Sequence, residues 1–184
     1  MAMATEESSQ SEQSKWEGKL CAEIKGATAD QVWPLLEDFF NLHKWFPGID
    51  TCKALEGVSG QSGCIRYCAK TISTTSAPAS ESEEKKMETT MWAKERLVAI
   101  DPVERWLSYE VTENNIGMKS YMATMKVLQL SKSAKEEGCQ IEWSFVADPV
   151  ESLTFEGFLS NFESILQGMA QRMEEALCPT PTSL

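Results

Sequence analysis

Apolar and polar residues alternate through seven short segments of this chain, and turn-forming residues separate most of them. A period of two is typical of strands that bury one face. The predicted strands cover residues 16–24, 49–56, 63–71, 90–100, 106–112, 121–130 and 140–146. Because the last six follow one another without an intervening helical pattern, we expect them to form an antiparallel meander.

Two further regions show helical spacing. Residues 27–33 begin a helix for which Thr28 is a suitable N-cap, and this helix should break near residues 41–44, which gives two short N-terminal helices. From residue 155 to 177, large apolar side chains recur at intervals of three and four, which predicts a long C-terminal helix. The predicted fold class is α+β: a curved antiparallel sheet of about seven strands wrapped around that helix, with a pocket between them.

The domain organisation follows from composition. With 42% hydrophobic residues, the chain can form one sizeable core, which we assign to residues 15–178. Residues 1–14 are rich in Ser, Glu and Gln and predict a disordered tail, and residues 179–184 form a short C-terminal tail. Residues 72–89 contain almost no large apolar side chain, which predicts a long, mobile, acidic loop. Because this loop joins two neighbouring strands, a lid is the alternative interpretation.

Net charge excludes some partners. The 17 basic and 28 acidic residues give a formal charge of -11 at pH 7, which argues against nucleic acid or an anionic membrane surface as a partner. No apolar run approaches the roughly 20 residues of a membrane helix. The N-terminus has neither the basic nor the apolar region of a signal peptide. We therefore expect a cytoplasmic protein whose partner is a small molecule.

The cysteine and histidine content argues against a metal site. None of the six cysteines forms a Cys-x-x-Cys pair, and His43 is the only histidine. Without a signal peptide the cysteines should be reduced. A nucleophilic pair of one cysteine with His43 stays open as an alternative.

A carboxylate lies on the apolar face of the predicted strand 90–100. At a period of two, Glu95 shares its face with the apolar residues Met91, Ala93, Leu97 and Ala99. Because a charged group facing an apolar interior needs a charged or hydrogen-bonding partner, we expect Arg66 to meet Glu95. A buried acid with an arginine partner is a simple acid/base site. A purely structural ion pair is the alternative.

The same alternation predicts which other side chains face the pocket. Arg66 shares a face with Cys64 and Cys68, although their apolar neighbours on the strand compete for the inward side. Tyr109, Tyr121 and Trp143 fall on apolar faces of their own strands. Apolar walls with a few convergent polar groups are typical of a small-molecule pocket. Ordinary core packing is the alternative for each aromatic residue.

The sequence resembles that of the plant lachrymatory factor synthases over nearly its whole length after the tail. The matching segments are 38–44 (DFFNLHK), 63–67 (GCIRY), 92–99 (WAKERLVA), 121–125 (YMATM), 143–145 (WSF) and 165–167 (ILQ). The resemblance implies a helix-grip fold of the Bet v 1-like and START-like superfamily, which includes polyketide cyclases and lipid-transport proteins. It also implies a cofactor-free enzyme that rearranges a small sulfenic acid into a thial S-oxide, in which Arg66 and Glu95 are the essential pair and Tyr109 assists.

The sequence also departs from that family. Methionines stand where the onion-type enzyme has pocket aromatics, and residues 72–89 are longer. The predicted ligand-binding residues are Met91, Met118, Tyr121, Trp143, Phe162 and Met169. Because methionine makes a softer wall than an aromatic ring, we expect the same isomerase-type or lyase-type chemistry on a different small plant metabolite. The alternative is a non-catalytic carrier of a hydrophobic metabolite or lipid.

Overall fold

One antiparallel sheet and one long helix account for most of the chain in a computed structural model, which describes residues 14–75, 86–130 and 137–178. Strand β1 (Trp16–Lys25) precedes helix α1 (Ala29–Glu37) and a 3₁₀ helix (Phe39–Lys44). The remaining elements are β2 (Thr51–Glu56), β3 (Ile65–Thr75), β4 (Lys86–Asp101), β5 (Trp106–Asn114), β6 (Tyr121–Gln129), β7 (Gly138–Ala147) and α2 (Phe155–Leu177).

The sheet has the predicted meander topology. Its seven strands lie in the order β1-β7-β6-β5-β4-β3-β2, and every neighbouring pair is antiparallel. Strand β1 therefore joins the far edge beside β7, and α2 packs mainly against β1. The α+β fold class, with a long C-terminal helix gripped by a curved sheet, is confirmed. Within the described residues, no helix is long and apolar enough to span a bilayer.

The helix boundaries follow local capping chemistry. The Thr28 hydroxyl accepts a hydrogen bond from the Gln31 amide, and the Gln31 side chain accepts one from the Thr28 amide, which is a complete capping box. Thr154 caps α2 in a similar way by accepting from the Gly157 amide. Asn41 has non-helical backbone angles inside the 3₁₀ helix. The predicted N-cap at Thr28 and the predicted break are both confirmed.

Aromatic rings fix α2 against the sheet. Phe158 and Phe162 lie one helical turn apart and stack with ring centroids 4.4 Å apart. Phe162 contacts Trp143 at 4.8 Å, and Phe158 contacts Phe145 edge-on at 5.2 Å. Aromatic pairs at such distances add about 1 kcal/mol each beyond their burial. These contacts hold the helix at one end of the sheet and leave space towards β3 and β4.

The prediction of a loop over residues 72–89 is wrong at both ends. Strand β3 continues to Thr75 and β4 begins at Lys86, with Ile72 opposite Thr89 and Ser73 opposite Glu88. A hairpin needs only backbone hydrogen bonds and strand-compatible residues, and threonine and isoleucine favour strands even when their faces are exposed. Residues 76–85 and the tails at 1–13 and 179–184 lie outside the described residues.

A second difference concerns the end of β4. The predicted alternation places Ala99 on the face of Glu95, but the pairing of β4 with β5 shifts between Leu97 and Ala99. Two residues of β4 oppose one residue of β5 there, which is a β-bulge and reverses the alternation. Ile100 therefore lies opposite the buried Leu107 and packs against the core. A bulge is set by the partner strand, so alternation within one strand does not reveal it.

Replacement of Gly18 by alanine should destabilise the packing of strands β1 and β7 against α2. A Cβ atom at Gly18 would lie 2.5 Å from Cζ of Phe145, its cross-strand partner, and 3.0 Å from a methyl group of Leu159. We expect Gly18→Ala to lower the free energy of unfolding by about 1–3 kcal/mol, measured by urea denaturation. Lys19→Ala, which removes only an exposed ion pair with Glu142, is the control and should leave the midpoint unchanged. Equal midpoints for both variants would contradict this packing.

Candidate functional site

A cavity of about 480 Å³ lies between the sheet, α2 and the segment 46–49. This volume is within the usual range of small-molecule pockets. Most of its wall is apolar, and the large apolar side chains include Phe46, Ile49, Ile72, Met91, Val111, Ile116, Met118, Phe162 and Ile165. The site therefore has the capacity to enclose a ligand larger than a few heavy atoms.

The predicted site residues divide into two groups. The residues that line the cavity are Met91, Glu95, Tyr109, Met118, Tyr121, Trp143 and Phe162. Met91 is 41% exposed and lies in the first half of β4, towards Lys86. Arg66 and Met169 do not line the cavity: Arg66 lies behind Glu95 and is 3% exposed, and Met169, on the inner side of α2, is fully buried in the core.

The Arg66–Glu95 pair spans two neighbouring strands. The two residues are directly opposite each other in the β3–β4 register, so their side chains leave the same face of the sheet side by side. Arg66 Nε donates to Glu95 Oε2 at 2.7 Å, and Nη2 approaches the same oxygen at 2.6 Å. The predicted contact between them is therefore present. No hydrogen bond within the described part of the chain ends on Glu95 Oε1.

The third nitrogen of Arg66 connects the pair to the 3₁₀ helix. Arg66 Nη1 donates to the backbone carbonyl of Phe39 at 2.9 Å, and the guanidinium lies 3.8 Å from the centroid of the Phe39 ring. The Tyr109 ring lies 5.3 Å from the guanidinium on the cavity side. A cation held over aromatic faces gains a favourable interaction that grows with desolvation. Arg66 is thus held from three directions and keeps Glu95 in one orientation.

Electrostatics keep the neighbouring groups in defined protonation states. Burial alone would lower the pKa of the Arg66 guanidinium, but the Glu95 carboxylate, together with Cys68, Tyr109 and Cys52, more than offsets burial and raises that pKa above its usual value. Burial, and then the charge of Glu95, raise the pKa of the Tyr109 phenol. Burial and the neighbouring Tyr109 raise the pKa of Tyr121 well above its usual value. At neutral pH the arginine is charged and both phenols carry their protons.

Two hydrogen-bond donors in the cavity wall lack acceptors. Tyr121 Oη and Trp143 Nε1 are buried and make no hydrogen bond of normal geometry among the described residues, although Tyr109 and Trp143 lie near enough to the Tyr121 hydroxyl to affect its pKa. Buried polar atoms in native proteins nearly always have one. Both residues line the cavity, and an indole N–H can only donate. The arrangement suits a ligand that brings an acceptor oxygen.

Several lining residues were not predicted. Cys68 follows Arg66 on the inward face of β3, and alternation identified that face without assigning Cys68 to the pocket. Asn161 and Ser164 lie on α2 beside its apolar face. Two polar residues so close to Phe162 were the sequence feature that could have identified them as cavity residues. Residues 46–49 reach the cavity wall by tertiary packing, which no local sequence pattern predicts.

The described residues offer no cluster of three or more histidine, cysteine or acidic side chains arranged to hold a metal ion. The polar groups at the cavity are a carboxylate, two phenols, two indoles, an amide, a hydroxyl and a thiol, with Lys70 at the edge. Such a set can bind an oxygen-containing ligand and move a proton within it.

The comparisons with known proteins agree with this fold. Residues 17–177 match the family model described as polyketide cyclase / dehydrase and lipid transport. The chain belongs to that family. Its described functions include both chemistry on small molecules and lipid transport, so membership alone does not choose between an enzyme and a carrier.

Solved structures show the same fold at low identity. XoxI from Bacillus cereus superposes with a TM-score of 0.65 at 23% identity, over 89% of this chain and 96% of that one. Ginseng major latex-like protein 151 from Panax ginseng gives 0.59 at 19% identity, over 89% and 99%. A protein from Thermobifida fusca gives 0.61 at 20% identity, over 88% and 95%.

Removal of the arginine should cost more stability than removal of the glutamate and arginine together. We expect Arg66→Met to lower the free energy of unfolding by about 3 kcal/mol, because it leaves the Glu95 charge without its partner. The double variant Arg66→Met/Glu95→Met should lose less, measured by urea denaturation.

The control for this cycle is Arg96→Met. Arg96 of β4 donates to Glu110 of the neighbouring strand β5 at 2.8 Å, on the opposite, exposed face of the sheet. Exposed ion pairs are worth about 0–1 kcal/mol, so this variant should change stability little. If Arg66→Met/Glu95→Met loses as much stability as the sum of the losses in Arg66→Met and Glu95→Met, Arg66 and Glu95 are not coupled.

Proposed function

We propose that this protein is a cofactor-free acid/base enzyme, in which Glu95 moves a proton between two atoms of one small substrate inside the cavity. The observation that carries the proposal is the position of Glu95. Among the described residues that line the cavity, it is the only acidic one. Its side chain is 13% exposed, and Arg66 holds one of its oxygens.

The two oxygens of Glu95 have different tasks in this mechanism. Oε2 accepts the hydrogen bonds of Arg66, while Oε1 is left for the substrate. A carboxylate with one fixed oxygen and one available oxygen can take a proton at one atom of a bound molecule and return it at another. Because all three Arg66 nitrogens have protein partners, we assign Arg66 to positioning Glu95 rather than to contacting the substrate.

The donors of the cavity supply the other half of the site. Tyr121 and Trp143 offer N–H and O–H groups without acceptors, and the protonated Tyr109 lies between them and Arg66. Donors fixed before the reaction stabilise negative charge that develops on a substrate oxygen. We therefore assign these three residues to the oxygen of the substrate and Glu95 to its mobile proton.

The resemblance to the lachrymatory factor synthases supports one reaction of this kind. In 1-propenesulfenic acid, Glu95 would take the proton of the S–O–H group and deliver it to the carbon two bonds from sulfur, which gives the isomeric thial S-oxide. No atom or electron is gained or lost. This substrate has five heavy atoms, however, and a cavity of about 480 Å³ with methionine walls has room for a larger relative.

The alternative is a non-catalytic carrier. The apolar walls and the volume of the cavity favour it, since both would suit transport of a hydrophobic metabolite. A carrier does not require an acid that faces the ligand, so the role of Glu95 distinguishes the two functions.

The first test is product analysis with freshly generated 1-propenesulfenic acid. The wild type should form the thial S-oxide, and Glu95→Gln should form it at least about 100-fold more slowly, because it lacks the group that moves the proton. Glu110→Gln is the control: it removes a carboxylate that also pairs with an arginine, but on the outer face.

Binding of the fluorescent apolar probe 8-anilinonaphthalene-1-sulfonate should be measured on the same samples. We expect all three proteins to bind it. A wild type that binds the probe but forms no product from this or larger sulfenic acids would contradict the enzyme and favour the carrier.

Tyr121→Phe should separate function from stability. The substitution removes a buried hydroxyl without a partner, so the urea midpoint should stay equal or rise. Turnover should fall, because the substrate oxygen loses a donor. Tyr67→Phe is the control, since Tyr67 stacks on Trp92 on the outer face and should change neither quantity. A large loss of stability in Tyr121→Phe would show that the hydroxyl serves the fold.

A further inference from the structure

Two cysteines face each other across strands β2 and β3 beside the cavity. Cys52 and Cys68 are directly opposite in the antiparallel register. The Cys68 Sγ donates to the Cys52 Sγ at 3.5 Å. Cys68 lines the cavity, and its Sγ lies 3.9 Å from Glu95 Oε2. The pair is a feature that proton transfer by Glu95 does not require.

The backbone geometry permits a bond between them. Residues directly opposite in antiparallel strands have Cα atoms about 4.5–5.5 Å apart, and disulfides span about 4.4–6.8 Å between Cα atoms. The sulfurs need to approach from 3.5 Å to about 2.05 Å. Strand β2 is the last strand of the sheet, with a neighbour on one side only.

The surroundings make the two thiols chemically unequal. The hydrogen bond from Cys68, and then the charge of Arg66, lower the pKa of Cys52 to about 6 despite its partial burial. The same hydrogen bond, with burial, raises the pKa of Cys68. His43 also lies near enough to contribute to the lower pKa of Cys52. Both shifts favour loss of the proton from Cys52 before Cys68.

We propose that Cys52 and Cys68 form a redox-active dithiol site, which a hydroperoxide oxidises to an intramolecular disulfide. The Cys52 thiolate attacks a peroxide oxygen, the O–O bond breaks, and Cys52 becomes a sulfenic acid while the alkoxide or hydroxide leaves and takes a proton from solvent to give an alcohol or water. The Cys68 sulfur then displaces the hydroxyl of that sulfenic acid, which leaves as water, and the S–S bond forms. Two thiols are oxidised and one hydroperoxide is reduced.

The second step becomes easier once the first has occurred. The hydrogen bond to the Cys52 thiolate is the largest cause of the raised pKa of Cys68. Oxidation of Cys52 removes the thiolate and with it that effect. The site stands independently of the proposed function, because it needs only the two sulfurs and Arg66.

The position of the pair connects the redox state to the cavity. The reduced Cys68 thiol is a weak donor towards Glu95 Oε2, and the Cys52 thiolate shares the field of Arg66 with Glu95. A disulfide removes both the donor and the thiolate. The wall beside Glu95 is therefore different in the two redox states, whether the cavity belongs to an enzyme or a carrier.

Peptide mapping after oxidation tests the proposal directly. The folded, reduced protein is treated with an equimolar amount of hydrogen peroxide, its remaining thiols are blocked with iodoacetamide, and it is digested with trypsin. Cys52 and Cys68 then fall in separate peptides, 45–53 and 67–70. We expect these two peptides to be joined, the number of free thiols to fall by two, and dithiothreitol to reverse both changes. Unlinked peptides, with oxidation elsewhere or nowhere, would overturn the proposal.

The variants Cys68→Ala and Cys64→Ala sharpen the test. Cys68→Ala should stop at the sulfenic acid of Cys52, which dimedone traps, whereas Cys64→Ala, in the same region of the chain, should still form the disulfide. In the wild type, the alkylation rate of Cys52 should rise with a midpoint near pH 6, and in Cys68→Ala that midpoint should move to higher pH. If Cys52 has the same alkylation midpoint in the wild type and in Cys68→Ala, the assigned hydrogen bond between the two thiols is wrong.

Discussion

The site depends on one constraint: a buried arginine must be neutralised by a carboxylate on the neighbouring strand. Arg66 and Glu95 can meet only if β3 and β4 pair in the observed register, because a shift of one residue would turn one of them to the outer face. The carbonyl of Phe39 completes the set of partners and fixes the 3₁₀ helix to the same point. The ion pair therefore connects the β3–β4 register, the position of the 3₁₀ helix and the orientation of Glu95.

Sequence alone predicted the parts of this structure that follow from periodicity. The helices, the meander and the inward positions of Glu95, Tyr109 and Trp143 all follow from burial of one face of each element. It failed where backbone geometry overrides side-chain pattern. The hairpin extends past Ile72 because backbone pairing tolerates polar residues, and the bulge after Leu97 depends on the partner strand.

The candidate site shows the same division. Alternation predicted that Glu95 faces the interior and made Arg66 its expected partner, but it left open which face of β3 is inward, and only the strand pairing places the two residues opposite each other. The same reasoning could not find the contribution of the Phe39 carbonyl, since every residue carries a carbonyl group, nor the approach of segment 46–49. The resemblance to the lachrymatory factor synthases placed Met169 at the cavity, but the helix turns that side chain fully into the core.

The donors of Tyr121 and Trp143 have a consequence for ligand choice. A pure hydrocarbon that filled the cavity would exclude water and leave both donors unpaired. Sites built to hydrogen-bond a ligand can reject an analogue that lacks the matching group by about 10⁴–10⁵-fold. On the proposed assignment of these two donors, the apolar walls set the size of the molecule that enters and the donors require an oxygen at one end. We therefore expect the cavity to favour amphiphiles with a buried oxygen over plain aliphatic chains.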